Sequence, residues 1–179
     1  MTNYLLSIDP SIKNTGFTLW EKTKRISECE INYNEIEYIY KWKPILISSY
    51  SFKKYGVLNF ESEIFFNNMK NTNIDLIIER GTFHSKNGIG YETQEHLRGF
   101  IAGQFNKLLT KDMLISPSEW KKWYVKIFWY AKDKKWNKEL SIKLAKQVIQ
   151  EQGWNITISN HDEADSLLIG WYYLNKENK

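Results

Sequence analysis

Three apolar runs in this chain each end at, or start from, a carboxylate, and this pattern constrains its fold more than any other feature. Asp9 closes Tyr4-Leu5-Leu6-Ser7-Ile8 and is followed by Pro10. Glu79 closes Ile74-Asp75-Leu76-Ile77-Ile78 and is followed by Arg80-Gly81. Asp162 and Asp165 open the last apolar run, which continues through Leu167-Leu168-Ile169. A carboxylate at the end of a buried strand is costly unless it is paired or bound to a cation. Four of them, drawn from the whole chain, can meet at one point and hold a hard divalent cation through oxygen alone. A metal-dependent phosphodiesterase requires such a cluster.

The periodicity supplies elements to carry these residues. Residues 4–8 read as a short buried strand and Gly16–Trp20 as a strand returning beside it after the turn formers of 9–16. A third strand is expected within Pro44–Phe52. Val57, Phe60, Ile64, Phe65 and Met69 follow helical spacing. Asp75–Ile78 is a continuous apolar run, as in a central strand buried on both faces. Glu92 to Leu109 reads as a helix with Leu97, Ile101, Phe105 and Leu108 on one stripe, and Met113–Ile115 as a short fifth strand ended by Ser116-Pro117. Leu140, Leu144, Val148 and Ile149 mark a helix that Gly153 stops. A last helix runs from about Asp162 into Tyr173, with Asn160 as its N-cap. The expected fold is α/β, one domain over 1–179, with a mixed five-stranded sheet flanked by helices on both faces.

Charge adds a second constraint. The net charge is +4, but Lys111 to Lys146 carries ten Lys against four acidic residues, leaving about −2 for the rest. Cations for a phosphate backbone beside carboxylates for a metal is what a nuclease needs; a solvated Lys-rich surface is the plainer reading. Within it, 120–136 interleaves Lys with Trp120, Trp123, Trp129 and Trp136. This suits backbone contact plus base stacking, or else tryptophans packed in the core. Cys29 is the only cysteine, so neither an intramolecular disulfide nor a cysteine zinc cluster can form. No apolar run approaches the roughly 18 residues of a membrane span, and Met1-Thr2-Asn3 lacks the features of a signal peptide. The expected location is cytoplasmic, in a bacterial cell or a phage-infected host.

Asp162 and Asp165, three apart on a helix, share a face, although acidic residues in a first turn also serve the helix dipole alone. With only oxygens on offer, two Mg²⁺ ions about 4 Å apart fit better than zinc, with Mn²⁺ as a substitute. Glu163 should point to solvent if its neighbours face the metal, and His161 flanks the helix.

With these residues in view, the chain resembles the RuvC family of Holliday junction resolvases, within the RNase H-like nucleases. Ser7-Ile8-Asp9-Pro10-Ser11 through Thr15-Gly16 is similar to the first family motif, where Asp-Pro-Gly is more usual. Ile77-Ile78-Glu79 is similar to the second, and Asp162-Glu163-Ala164-Asp165-Ser166-Leu167 to the acidic start of the last helix. The resemblance implies that Asp9, Glu79, Asp162 and Asp165 are the catalytic metal-binding residues. It also implies a homodimer that nicks opposing strands of a four-way junction with Mg²⁺. Lys121 matches a DNA-contacting Lys of the family and Lys138 a further basic position; Lys122, Phe83 and Lys86 complete the expected DNA contacts. The chain departs from the family in lacking a Gly-rich turn between Lys121 and Lys138, and in placing Phe83 four residues after Glu79, where the family's aromatic comes three after. Two other functions remain open on the residues: cleavage of RNA–DNA hybrids, and a non-catalytic module that binds branched DNA.

Overall fold

In a computed structural model the described residues are 3–11, 13–26, 38–52, 60–70, 72–81, 88–128 and 135–176. The sheet has five strands: β1 (Tyr4–Asp9), β2 (Thr15–Ile26), β3 (Tyr38–Tyr50), β4 (Ile74–Glu79) and β5 (Leu114–Ile115). Their order is β3-β2-β1-β4-β5. The first three form an antiparallel meander, while β4 and β5 run parallel to β1. The helices are α1 (Phe60–Met69), α2 (Gly88–Gln104), α3 (Pro117–Ile127), α4 (Lys138–Gln152) and α5 (His161–Asn175). The mixed sheet agrees with the sequence reading, and so does the element order apart from the additional helix α3.

Because side chains alternate across a strand, β1 and β4 feed two cores. Leu5 and Ile77 join Trp20, Ile115 and residues of α3, α4 and α5 on one face. Leu6, Ile8, Leu76 and Ile78 join Phe17, Phe65 and Phe66 with Leu97, Ile101 and Phe105 of α2 on the other. β1 and β4 are therefore largely buried on both sides, and only Ser7, held by hydrogen bonds in the core, and the exposed Asp75 interrupt their apolar sequences.

A hydroxyl seam seats α5 on the sheet. Ser7 Oγ donates to the Ser166 carbonyl at 2.7 Å and accepts from Trp20 Nε1 at 2.8 Å, and the Thr18 and Ser166 hydroxyls lie 2.8 Å apart. Gly170 lets this contact close. A Cβ there would fall 2.2 Å from Trp20 Nε1 and 2.4 Å from Ser7 Oγ. Gly170→Ala is thus expected to cost about 1–3 kcal/mol by overpacking, read as a lower urea midpoint at unchanged slope.

Four differences from the sequence reading have local causes. Residues 117–127 form a helix where none was expected: Pro117 opens α3, and the Glu119 carboxylate accepts from the Ser116 backbone N–H at 2.9 Å, half of a capping box. α2 stops at Gln104, short of Leu109, because Asn106 turns to φ 54° and the Lys107 N–H reaches back to the Ala102 carbonyl. Leu108 is consequently 87% exposed and does not extend the α2 stripe. β2 and β3 also run longer than expected, a twelve-residue strand against a thirteen-residue one. Asn160 and Gly153 take the expected capping places.

Candidate functional site

Parallel pairing of Ile8 with Ile78 sets the C-terminal ends of β1 and β4 side by side, so Asp9 and Glu79 emerge next to each other. The β1–β2 hairpin brings Gly16 opposite Asp9, and Gly16 packs directly on the backbone of Asp162 at the start of α5. Asp165 follows one turn later. The structure thus draws the four expected carboxylates into one electrostatic cluster.

Their protonation shows how close the crowding is. Asp9 is raised well above the usual carboxylate range, first by burial and then by Glu79, Asp165 and Asp162. Glu79 is raised by burial, an effect eased by Lys121, by hydrogen bonds from Trp120 and Asp9, and by Arg98. Asp165 is pushed up to about 7 by burial, eased by a hydrogen bond with Ser141 and by Lys121. Asp9, Glu79 and Asp165 nevertheless keep part of their surface open to solvent, so a small cation or a phosphate can reach them.

Neutral donors hold three of the carboxylates. Asn14 Nδ2 donates to Asp162 Oδ2 at 2.8 Å, Trp120 Nε1 donates to Glu79 Oε1 at 2.9 Å, and Ser141 serves Asp165. Behind them, the buried Arg98 of α2 donates from Nε to the Glu79 carbonyl at 2.7 Å and pairs with Glu95 at 2.8 Å. None of these four partners stood out as site residues in the sequence. Trp120 packs fully in the core, and only the unrecognised capping box before it would have placed it on a helix beside Glu79.

Glu163 is a correction: it is 7% exposed and does not face solvent. Its carboxylate accepts from Ser49 Oγ at 3.0 Å and from the Ser159 backbone N–H at 2.6 Å, tying the start of α5 to β3. His161 Nε2 lies 3.3 Å from Asp162 Oδ1. Of the expected basic contacts, Lys121 is part-buried and acts on Asp9, Glu79 and Asp165, whereas Lys122 and Lys138 stand exposed on α3 and at the start of α4. Phe83 and Lys86 lie outside the described residues, as do Trp129 and the lysines at 132 and 134.

The donor set suits a hard divalent cation. Every first-rank donor is an oxygen, and Asp165 Oδ1 is buried without a hydrogen-bond partner, an arrangement that costs free energy unless something else meets it. As placed, no three of the described His, Cys, Asp or Glu side chains converge into a finished cage, so these carboxylates would have to turn toward one another to hold an ion.

The sign of the pH dependence follows. Asp165 binds its proton more tightly in the folded chain than at its ordinary value of 3.8, so its contribution favours the fold below that value and is lost as pH rises through about 7. The metal-free chain should lose thermal stability, relative to Asp165→Asn, between about pH 4 and about pH 7. A midpoint difference that stays flat or moves the other way across that window would refute this burial.

No family model matches the sequence, and no curated protein matches it. Solved structures do. RuvC of T. thermophilus in complex with a Holliday junction substrate is similar with a TM-score of 0.54 at 11% identity, over 96% of this chain and 95% of that one. A Thermus thermophilus RuvC structure gives 0.51 at 12% identity, over 97% and 96%. Among the described residues no helix is long and apolar enough to cross a membrane. With strands, helices and length aligned almost end to end, the chain has the RNase H-like α/β fold of RuvC.

Proposed function

We propose that this chain is a divalent-cation-dependent endonuclease that resolves four-way DNA junctions, acting as a homodimer that nicks opposing strands. The observation that carries this is the grouping of Asp9 and Glu79 at the ends of β1 and β4 with Asp162 and Asp165 of α5, where Asp9 is raised by burial and then by the other three. The shared fold supports it, since the T. thermophilus RuvC that this chain is similar to is bound to a Holliday junction substrate.

Asp9, Glu79, Asp162 and Asp165 would hold Mg²⁺. When bound, Mg²⁺ supplies an activated water and stabilises the oxygen that leaves the phosphodiester. The chain's own residues do the rest. Asn14 and Trp120 each hold one oxygen of Asp162 and of Glu79, and Lys121 stands beside the cluster to meet the phosphate's negative charge. Lys122, Lys138 and the remaining lysines of the 111–146 segment neutralise the flanking backbone.

The test is single-turnover cleavage of a substrate panel in Mg²⁺. A four-way junction should be cut at least tenfold faster than linear duplex or RNA–DNA hybrid. Faster cutting of the hybrid would move the function to ribonuclease, and tight junction binding without cutting would make the chain a binder.

A further inference from the structure

Sequence reading leaves the tryptophans of the Lys-rich segment without a settled role, and two of them meet at the carboxylates. Trp120 and Trp136 pack edge to face, ring centroids 4.9 Å apart. Trp120, fully buried, donates its indole N–H to Glu79 Oε1 at 2.9 Å. Trp136 donates its own to Ser141 Oγ at 2.9 Å, and the Ser141 hydroxyl donates to the Asn137 carbonyl at 3.4 Å. The Lys121 ammonium lies 4.8 Å from the Trp120 ring centroid and 5.7 Å from that of Trp136, within cation–π range of both. One aromatic pair therefore touches Glu79 and the lysine that, among the described residues, acts on the cluster.

From this geometry we propose that Trp120 is a positioning residue that sets the orientation of Glu79, and that Trp136 braces it and with it holds Lys121 beside the cluster. An indole N–H is a donor only. It can therefore bond one carboxylate oxygen and leave the second free to face a cation, with no competing proton acceptor in the site. The bond from Trp120 fixes Glu79 Oε1 in this way, so Oε2 is left for the ligand. The T-shaped contact with Trp136, itself tied to Ser141, holds the Trp120 ring in the plane from which it reaches Glu79. Packing alone would not require the Trp120 indole N–H to end on a site residue. A second tryptophan cluster shows the contrast: Trp154 and Trp171 meet at 5.1 Å beside Trp20, and there the Trp20 N–H ends on Ser7 in the seam under α5.

The inference rests on the nuclease reading, and its test separates the two. Trp120 is replaced by Phe and, to keep the shape of the bicyclic ring, by its benzothiophene analogue, in which sulfur stands for the N–H. Trp136→Phe and the remote Trp154→Phe complete the set. Ligand-partner losses of this kind typically lower metal affinity or activity about 10- to 100-fold. Expected are a drop of about that size in the maximal single-turnover rate for both Trp120 variants, half-saturation by junction unchanged, and an equally weakened Mn²⁺ affinity measured by calorimetry with the metal alone. Trp154→Phe should leave both readings as they are. Wild-type rate and Mn²⁺ affinity in the benzothiophene variant would overturn the proposal, as would losses no larger than those of Trp154→Phe. If the intact chain binds Mn²⁺ but cuts no junction, the nuclease reading fails while the Mn²⁺ affinities still decide the role of Trp120.

Discussion

Asp9→Asn is expected to lower the single-turnover cleavage of a four-way junction by about 10³-fold while leaving the chain folded and junction affinity unchanged. Asp9 sits between two sources of crowding, Glu79 on the neighbouring strand and the two aspartates of α5. Burial and these neighbours together oppose its charge, and carboxylates perturbed in this way cluster at functional sites. The amide keeps the shape and can still donate to Glu79, so the fold survives and the mutual repulsion falls. The metal-free Asp9→Asn chain should consequently unfold at a higher temperature than the intact one above pH 7. Cleavage near the intact rate would remove Asp9 from the site, and lost junction binding would give it a structural or contact role.

Gly16→Ala should damage both stability and cleavage, through a residue that does no chemistry. A Cβ at Gly16 would fall 1.9 Å from the Asp162 carbonyl oxygen, 2.4 Å from its carbonyl carbon and 3.0 Å from the Glu163 nitrogen. All three atoms are backbone, so no side chain can swing aside. The first turn of α5 must move away from the β1–β2 hairpin, at a cost of about 3 kcal/mol. That movement carries Asp162 away from Asp9 and strains the Asn14–Asp162 hydrogen bond, so the cleavage rate should fall by more than the unfolded fraction explains. Gly99→Ala is the matched comparison. Nothing lies within 4 Å of a Cβ there, and an exposed helical glycine replaced by alanine stabilises by about 0.5–1 kcal/mol. Equal stability and equal rates in the two variants would contradict the account of Gly16.

Periodicity made most of the fold legible, because β1 and β4 are buried on both faces and their composition shows it. It was less informative where the chain is half-exposed. β2 and β3 continue past their apolar centres as a two-stranded ribbon, and backbone pairing of that kind needs no apolar pattern. α3 is obscured by the Lys–aromatic interleave of its residues, although Ser116-Pro117-Ser118-Glu119 carries a helix start. The acidic residues of the site were legible because each interrupts or bounds an apolar run. Glu163 misled for the opposite reason: helical spacing says which residues share a face, but not that Ser49, from a distant strand, would arrive to bury the other face. Asn14, Arg98, Trp120 and Ser141 left no mark in the sequence, since a donor's partner is fixed only when separate elements pack.

Under the proposed function, these four carboxylates form one divalent-cation site that cuts junction DNA. This is tested most directly by comparing the intact chain with the variant carrying Asp9→Asn, Glu79→Gln, Asp162→Asn and Asp165→Asn together, on a four-way junction labelled in all strands. The account predicts paired nicks in opposing strands near the branch point with Mg²⁺, none in EDTA, and none from the fourfold variant, which stays folded and still binds the junction. Nicking that persists in the variant, or in the intact chain without metal, would contradict it.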